Sequence, residues 1–169
     1  MNLAEYHTDG VDAEVSYSSP ADLWVPGATG RLRLRVVGTW VNTLTTNDGV
    51  SEIEYVKSQG YAFGLGVPDF RLNANLGWKG EVFGVDLRAR YLSQGLYNRT
   101  VKISNNDIPA YTYVDLGLTA DLDHYGARGV ELYANATNLF DKAPPNGSLY
   151  SPYYDVIGRY VTVGARYRF

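Results

Sequence analysis

Apolar and polar residues alternate with period two through about seven stretches of this chain, and turn-forming residues separate the stretches. Successive side chains of a strand point to opposite sides, so each stretch reads as a strand with one oily face and one polar face. The last is the clearest. Val161, Val163, Ala165, Tyr167 and Phe169 share one face, and Tyr160, Thr162, Gly164, Arg166 and Arg168 the other. The same pattern sets Val11, Ala13, Val15 and Tyr17 against Asp12, Glu14 and Ser16 in a strand over residues 8–17. In a second strand, over 30–43, Leu32, Leu34, Val36 and Trp40 oppose Arg31, Arg33 and Arg35. It recurs with Phe70 to Trp78 against Arg71, Asn73 and Asn75, and with Val85, Leu87, Ala89 and Tyr91 against Asp86, Arg88 and Arg90. Val114 to Leu122 then faces away from Tyr113, Asp115, Thr119 and Asp121, and Val130, Leu132, Ala134 and Ala136 from Glu131, Tyr133, Asn135 and Thr137.

Such a pattern suits two architectures. A soluble sandwich buries the oily face against a second sheet, whereas a membrane barrel turns it to lipid and keeps charges in a wet lumen. Composition leaves both open, at 169 residues and 45% hydrophobic, because a lipid-facing strand exposes only every second residue. No run of eighteen apolar residues offers a transmembrane helix. No basic segment leads into an apolar one, so the expectation is that this chain carries no secretory signal. The absence of cysteine excludes disulfides and thiolate metal sites.

The connections favour the barrel, because short ones alternate with long ones. Residues 79–81 and 124–129 are tight; 46–67, 98–110 and 141–157 are long. Outer-membrane barrels pair short periplasmic turns with long extracellular loops, which sets the chain's end on the periplasmic side. The connection over 20–29 is longer than this rhythm predicts. The stretch 50–56 reads as an extension within a long loop. Trp40, Trp78, Tyr91, Tyr111, Tyr167 and Phe169 fall near strand ends, as interfacial aromatics do.

The run Val130 to Lys142, ending in Asn138-Leu139-Phe140-Asp141-Lys142, is followed by a Tyr- and Pro-rich loop and then by Gly158-Arg159 and a terminal Tyr167-x-Phe169. This resembles the closing hairpin of TonB-dependent outer-membrane receptors. Asn2-Leu3-Ala4-Glu5-Tyr6 running into Thr8-Asp9-Gly10-Val11-Asp12 resembles a strand entry of the same barrels. The resemblance implies an all-β, antiparallel up-and-down meander over residues 1–169, forming the C-terminal portion of a plugged barrel of about 22 strands. It implies a bacterial outer-membrane location, no enzymatic activity and no cofactor, and uptake of a siderophore, vitamin or glycan driven by the TonB complex through a plug domain. Plug, TonB-contact segment and signal peptide are absent from the pattern, so transport by these strands alone is not expected. A truncated structural or oligomeric barrel piece and a soluble carbohydrate-binding sandwich are the alternatives.

The expected partners are outer-membrane lipid, the barrel assembly machinery and a small-molecule ligand. Phe169, Tyr167, Ala165, Val163 and Val161 resemble the terminal signal read by that machinery, a strand edge that a partner extends. Arg31, Arg33, Arg35, Arg88, Arg90, Asp115, Asp121, Glu131, Arg166 and Arg168 are expected to face the lumen, the arginine comb pairing with Glu14 and Asp12. The net charge of −3 argues against nucleic acid. Candidate ligand-loop residues are Tyr150, Tyr153 and Tyr154, stiffened by neighbouring prolines, and the acidic group Asp48, Glu52 and Tyr55. His7 and His124 have no metal-ligand spacing, and Gly64-Leu65-Gly66 lacks the lysine and helix of a phosphate loop. The Asp115/Asp121 and Asp121/Asp123 pairs read as lumen charges rather than catalytic carboxylates.

Overall fold

The computed structural model describes residues 5–60, 66–145 and 151–169. Asn2, Leu3, Ala4, Gly64, Leu65 and Tyr150 lie outside the described residues. The strands are β1 (Glu5–Pro20), β2 (Arg31–Asn47), β3 (Glu52–Glu54), β4 (Phe70–Lys79), β5 (Phe83–Leu92), β6 (Gly95–Leu96), β7 (Asp107–Ile108), β8 (Tyr111–Asp121), β9 (Val130–Thr137) and β10 (Tyr160–Tyr167). Seven long strands make one antiparallel sheet in the order β1-β2-β4-β5-β8-β9-β10. Each is hydrogen-bonded to the next long strand in the chain, the up-and-down meander that the alternation predicts. The segment around 50–56 adds only β3, folded back on β2. β6 and β7 form a separate ribbon above the sheet. No helix among the described residues is long and apolar enough to cross a membrane, which says nothing about strands.

Register fixes the faces. Leu34, Leu76, Leu87 and Leu116 lie in one row across four strands, so one surface of the sheet is continuously apolar. That surface is uncovered: Val15 is 62% exposed, Leu76 46% and Val163 76%. A second sheet laid over it, which a soluble sandwich requires, does not occur among the described residues. Aromatic rings edge the surface. Trp40, Phe70 and Tyr91 lie toward the long loops, and Tyr17, Trp78, Phe83, Tyr167 and Phe169 toward the short turns. Phe70 and Trp78 are about 27 Å apart along β4 at the rise of a strand. A tilt of about 40° reduces that to about 20 Å of height, close to the lipid-facing band of a barrel.

β1 and β2 run past this band, since about ten residues suffice to span it. The overshoot begins at a bulge. Asp9 pairs with Thr43 and Gly10 with Val41, leaving Asn42 as the extra residue, and its side chain donates to Asp9 Oδ2 at 3.0 Å. Beyond it the face that carried Val11 and Trp40 carries Asp9 and His7 instead, so the oily surface ends at Trp40.

Two expectations need correction. Tyr111 shares the parity of Tyr113 and Asp115, so its ring joins the inner face rather than the interfacial belt; it packs against Tyr113 and Tyr154 at centroid distances of 6.0 and 5.2 Å. Among the described residues Asp12 makes no ion pair, because Arg35 turns to Glu14. The sheet itself is open. Among the described residues β1 and β10 each pair on one side only, and in lipid their free backbone groups require further strands to close the wall.

Candidate functional site

The inner face is a ladder of cross-strand charge contacts. Arg35 grips Glu14 with two bonds of 2.8 and 2.9 Å, and Arg88 Nε donates to Asn75 Oδ1 at 3.0 Å. Arg166 donates to Glu131 at 3.1 Å, its guanidinium over the Tyr133 ring, and Arg168 reaches Asp121 at 3.5 Å. Gly164 makes room for Tyr133, since a Cβ there would meet its ring atoms at 2.5 Å. Arg31 and Arg33 form no ion pair among the described residues, and Arg31 lies opposite Lys79 in the register. The comb is therefore paired at one tooth only. Asn75, Asp86, Arg88, Asp115, Asn135 and Thr137 line a cleft of about 350 Å³ in this wall, supplying donors and acceptors side by side.

Above the wall the three long loops fold into a layer with its own core. Leu92, Ile108, Tyr113 and Tyr154 are buried there, with Tyr97, Tyr111 and Tyr153 packed around them. Gln59 ties the loops together. Its backbone N–H donates to Leu96 O at 2.7 Å, its side-chain amide to Ser93 O at 3.2 Å, and its Oε1 accepts the Tyr154 hydroxyl at 2.7 Å. Burial pushes the Tyr154 phenol well above its usual range, so it stays a donor. The Tyr153 hydroxyl donates to Gly66 O at 3.2 Å, and burial raises that phenol as well. Arg90, at the top of β5, binds Asp155 of the third loop at 2.6 Å and lies 3.5 Å from Asp115 on β8. The Asp155 backbone N–H donates to the Tyr113 hydroxyl at 3.3 Å.

The third loop is clamped at its base. Asn138 is buried in a left-handed conformation; its side chain bonds both the backbone N–H and carbonyl of Lys142, and its own N–H donates to Asp115. Asp141 Oδ1 accepts the Arg159 backbone N–H at 2.7 Å, joining the two ends of the loop. A Cβ at Gly158 would sit 2.6 Å from the same oxygen. The spaced residues Asn138, Asp141, Gly158 and Arg159 thus form one structural clasp. Lys142 Nζ lies 4.2 Å from the centre of the Tyr111 ring.

Of the expected loop residues, Tyr153 and Tyr154 enter this layer. Asp48 and Glu52 belong instead to the exposed β2–β3 tip, where Ser51 and Val50 N–H groups hold the Asp48 carboxyl below its ordinary range. Tyr55 accepts from Thr46 Oγ1 at 3.3 Å, and no hydrogen bond or ring contact joins the acidic group to the tyrosines among the described residues. Val161, Val163 and Ala165 lie on the outer face of the edge strand β10, and the Tyr167 and Phe169 rings are 6.1 Å apart. Gln59, Tyr97 and Asp155 gave no sequence signal. Tyr111 and Tyr113 did, as aromatic rings in the polar register of β8.

Among the described residues no group of three or more His, Asp or Glu side chains is arranged to hold a metal. The family model of the TonB dependent receptor-like β-barrel matches residues 1–139. No curated protein and no solved structure gives a match.

Proposed function

The chain belongs to the TonB-dependent receptor β-barrel family, a family of bacterial outer-membrane receptors and transporters rather than enzymes, and from this we propose that it builds wall and outer vestibule for TonB-energised uptake of a small nutrient. The observation that carries the reading is the division of the sheet, one face oily and uncovered between two rows of aromatic rings, the other a ladder of paired charges under a tyrosine-lined loop layer. Lipid suits the first face and a wet passage the second. The tyrosines and the amide- and carboxylate-lined cleft suit a ligand with both flat and hydroxyl-rich surfaces, such as a siderophore chelate, a vitamin or a glycan. Energy would arrive through a plug domain that the TonB complex pulls, and the edge strand ending in Phe169 would be the part the assembly machinery engages. The open edges of β1 and β10 support these seven strands acting as part of a larger wall.

Growth of the source bacterium on single ferric siderophores, cobalamin or oligosaccharides tests this. Deleting the gene should abolish growth on one such nutrient, and loss of TonB should produce the same defect. Normal growth on all of them, with the protein recovered in the soluble fraction, would overturn the reading.

A further inference from the structure

The connection between β1 and β2 is longer than a short-side turn needs, and its composition is unlike the other two. Residues 80–82 and 122–129 carry Glu81, Asp123, His124 and Arg128 with a lone large exposed ring, Tyr125, whereas this one, beside Asp22, exposes Leu23, Trp24 and Val25 in a row at 69, 63 and 60%. A water-facing rim gives no reason for three adjacent exposed apolar side chains. Nor does the segment hang free. The Trp24 ring stands edge-on to Tyr17, at 6.3 Å and 87°, so it lies on the oily face of the sheet rather than below it. Its Nε1 donates to Ser19 Oγ at 2.8 Å, and Ser19 is only 3% exposed, so the serine hydroxyl that β1 turns toward this end of the oily face is partnered and covered.

Internal hydrogen bonds fold the backbone back on itself, which lowers the cost of placing it at the edge of a bilayer. Ala21 N–H donates to Gly30 O, Trp24 and Val25 N–H to Ala21 O, and Ala28 N–H to Val25 O. The Trp78 indole pins the far end by donating to Thr29 O at 3.0 Å. Between Trp24 and the sheet runs a groove of about 500 Å³ walled by Tyr17, Trp24, Leu32, Leu34 and Leu76, continuous with the surface assigned to lipid.

We propose that residues 21–29 are an interfacial anchor, seating a phospholipid acyl chain of the periplasmic leaflet in the groove between Trp24 and β1, β2 and β4. The inference rests on the outer-face reading given above. Continuity of the groove with that face, and the folding of Trp24 onto it, favour lipid over a periplasmic protein, which would dock on the rim.

Three tryptophans and no cysteine occur in residues 1–169, so each probe position can be changed by itself. Protein purified from outer membranes, together with whatever completes its wall, is reconstituted in phosphatidylethanolamine and phosphatidylglycerol vesicles with brominated acyl chains. One variant lacks Trp24 (Trp24→Phe) and one lacks Trp40 (Trp40→Phe), Trp78 keeping its bond to Thr29, and the emission of Trp24 and of Trp40 is each read as the difference from the unaltered protein. The anchor requires that brominated lipid remove most of the emission of both and that aqueous iodide remove little. If Trp40 responds to bromine while Trp24 responds only to iodide, the anchor is overturned and the wall stands. If both respond only to iodide, the lipid-facing wall falls and the anchor with it. Should either variant fail to fold, a nitroxide on Leu23→Cys decides: faster relaxation with oxygen than with a nickel chelate supports the anchor, and the reverse overturns it.

Discussion

The sheet between its aromatic rows and the loop layer above it are stabilised in opposite ways. In the sheet the large apolar side chains are the exposed ones, Val11, Val15, Leu76 and Val163 among them, and the hydrogen-bonded ladder holds the strands together. In the loop layer the apolar side chains Ile108, Tyr113 and Tyr154 are buried against one another, and hydrogen bonds centred on Gln59, with that of Tyr153 to Gly66, join the loops. The first region therefore needs a solvent that is itself apolar, and the second would keep its core in water. One chain can carry both because the bulge at Asn42 and the ends of β4, β5 and β8 mark where one solvent gives way to the other.

The sharpest way to break this contrast is one substitution on neighbouring valines of β2. Val36 lies midway along the oily face and Val37 on the charged one, opposite Glu14. Val36→Arg should cost about 2–4 kcal/mol of stability in bilayers. Val37→Arg should change it little, and equal losses in reversible unfolding would show that the two faces do not see different solvents.

A smaller effect is expected at Gln59. Gln59→Leu leaves the Tyr154 hydroxyl and the Ser93 carbonyl without partners, at about 1–3 kcal/mol. Hydrogen exchange should quicken around residues 57–60, 93–97 and 151–155 while β4, β5 and β8 stay protected. Loss of protection in the sheet as well would mean the two regions unfold as one.

Acid should loosen the loop layer before the sheet. Burial works to raise the Asp69 carboxyl, but hydrogen bonds from Ser93 and Lys57 outweigh it and hold the group below its ordinary range. Its contribution is complete above the aspartate range of the unfolded chain and is lost as pH falls through the lower folded value. Exchange at residues 57–60 should accelerate in that window, and Asp69→Asn should abolish the pH dependence. The least effect belongs to Arg166→Gln, because its bond to Glu131 is made by a guanidinium side chain that is 66% exposed. A change within about 1 kcal/mol is expected in the same unfolding measurement.

The seven long strands and their faces were legible in the sequence. Strand geometry is local, so Leu72, Ala74 and Leu76 announce a face without reference to any partner. Lumen charges were legible as a class but not as pairs. Nothing local says that Arg35 takes Glu14 while Arg31 and Arg33 form no ion pair among the described residues, because that depends on register across strands. The terminal clasp was visible as a spaced motif, and only its geometry shows Asp141 closing the loop on Arg159.

By itself the sequence determined a period, and the period determined strands, two chemically distinct faces and the interruptions between them. Tertiary structure alone decided what gathers above and below the oily band. Gln59 meets Tyr154 across 95 residues, Arg90 meets Asp155 across 65, and Trp24 leaves its turn to cover Ser19. Side-chain parity is set within a few residues by backbone sterics, whereas contacts between distant loops depend on which ends the folded sheet brings together.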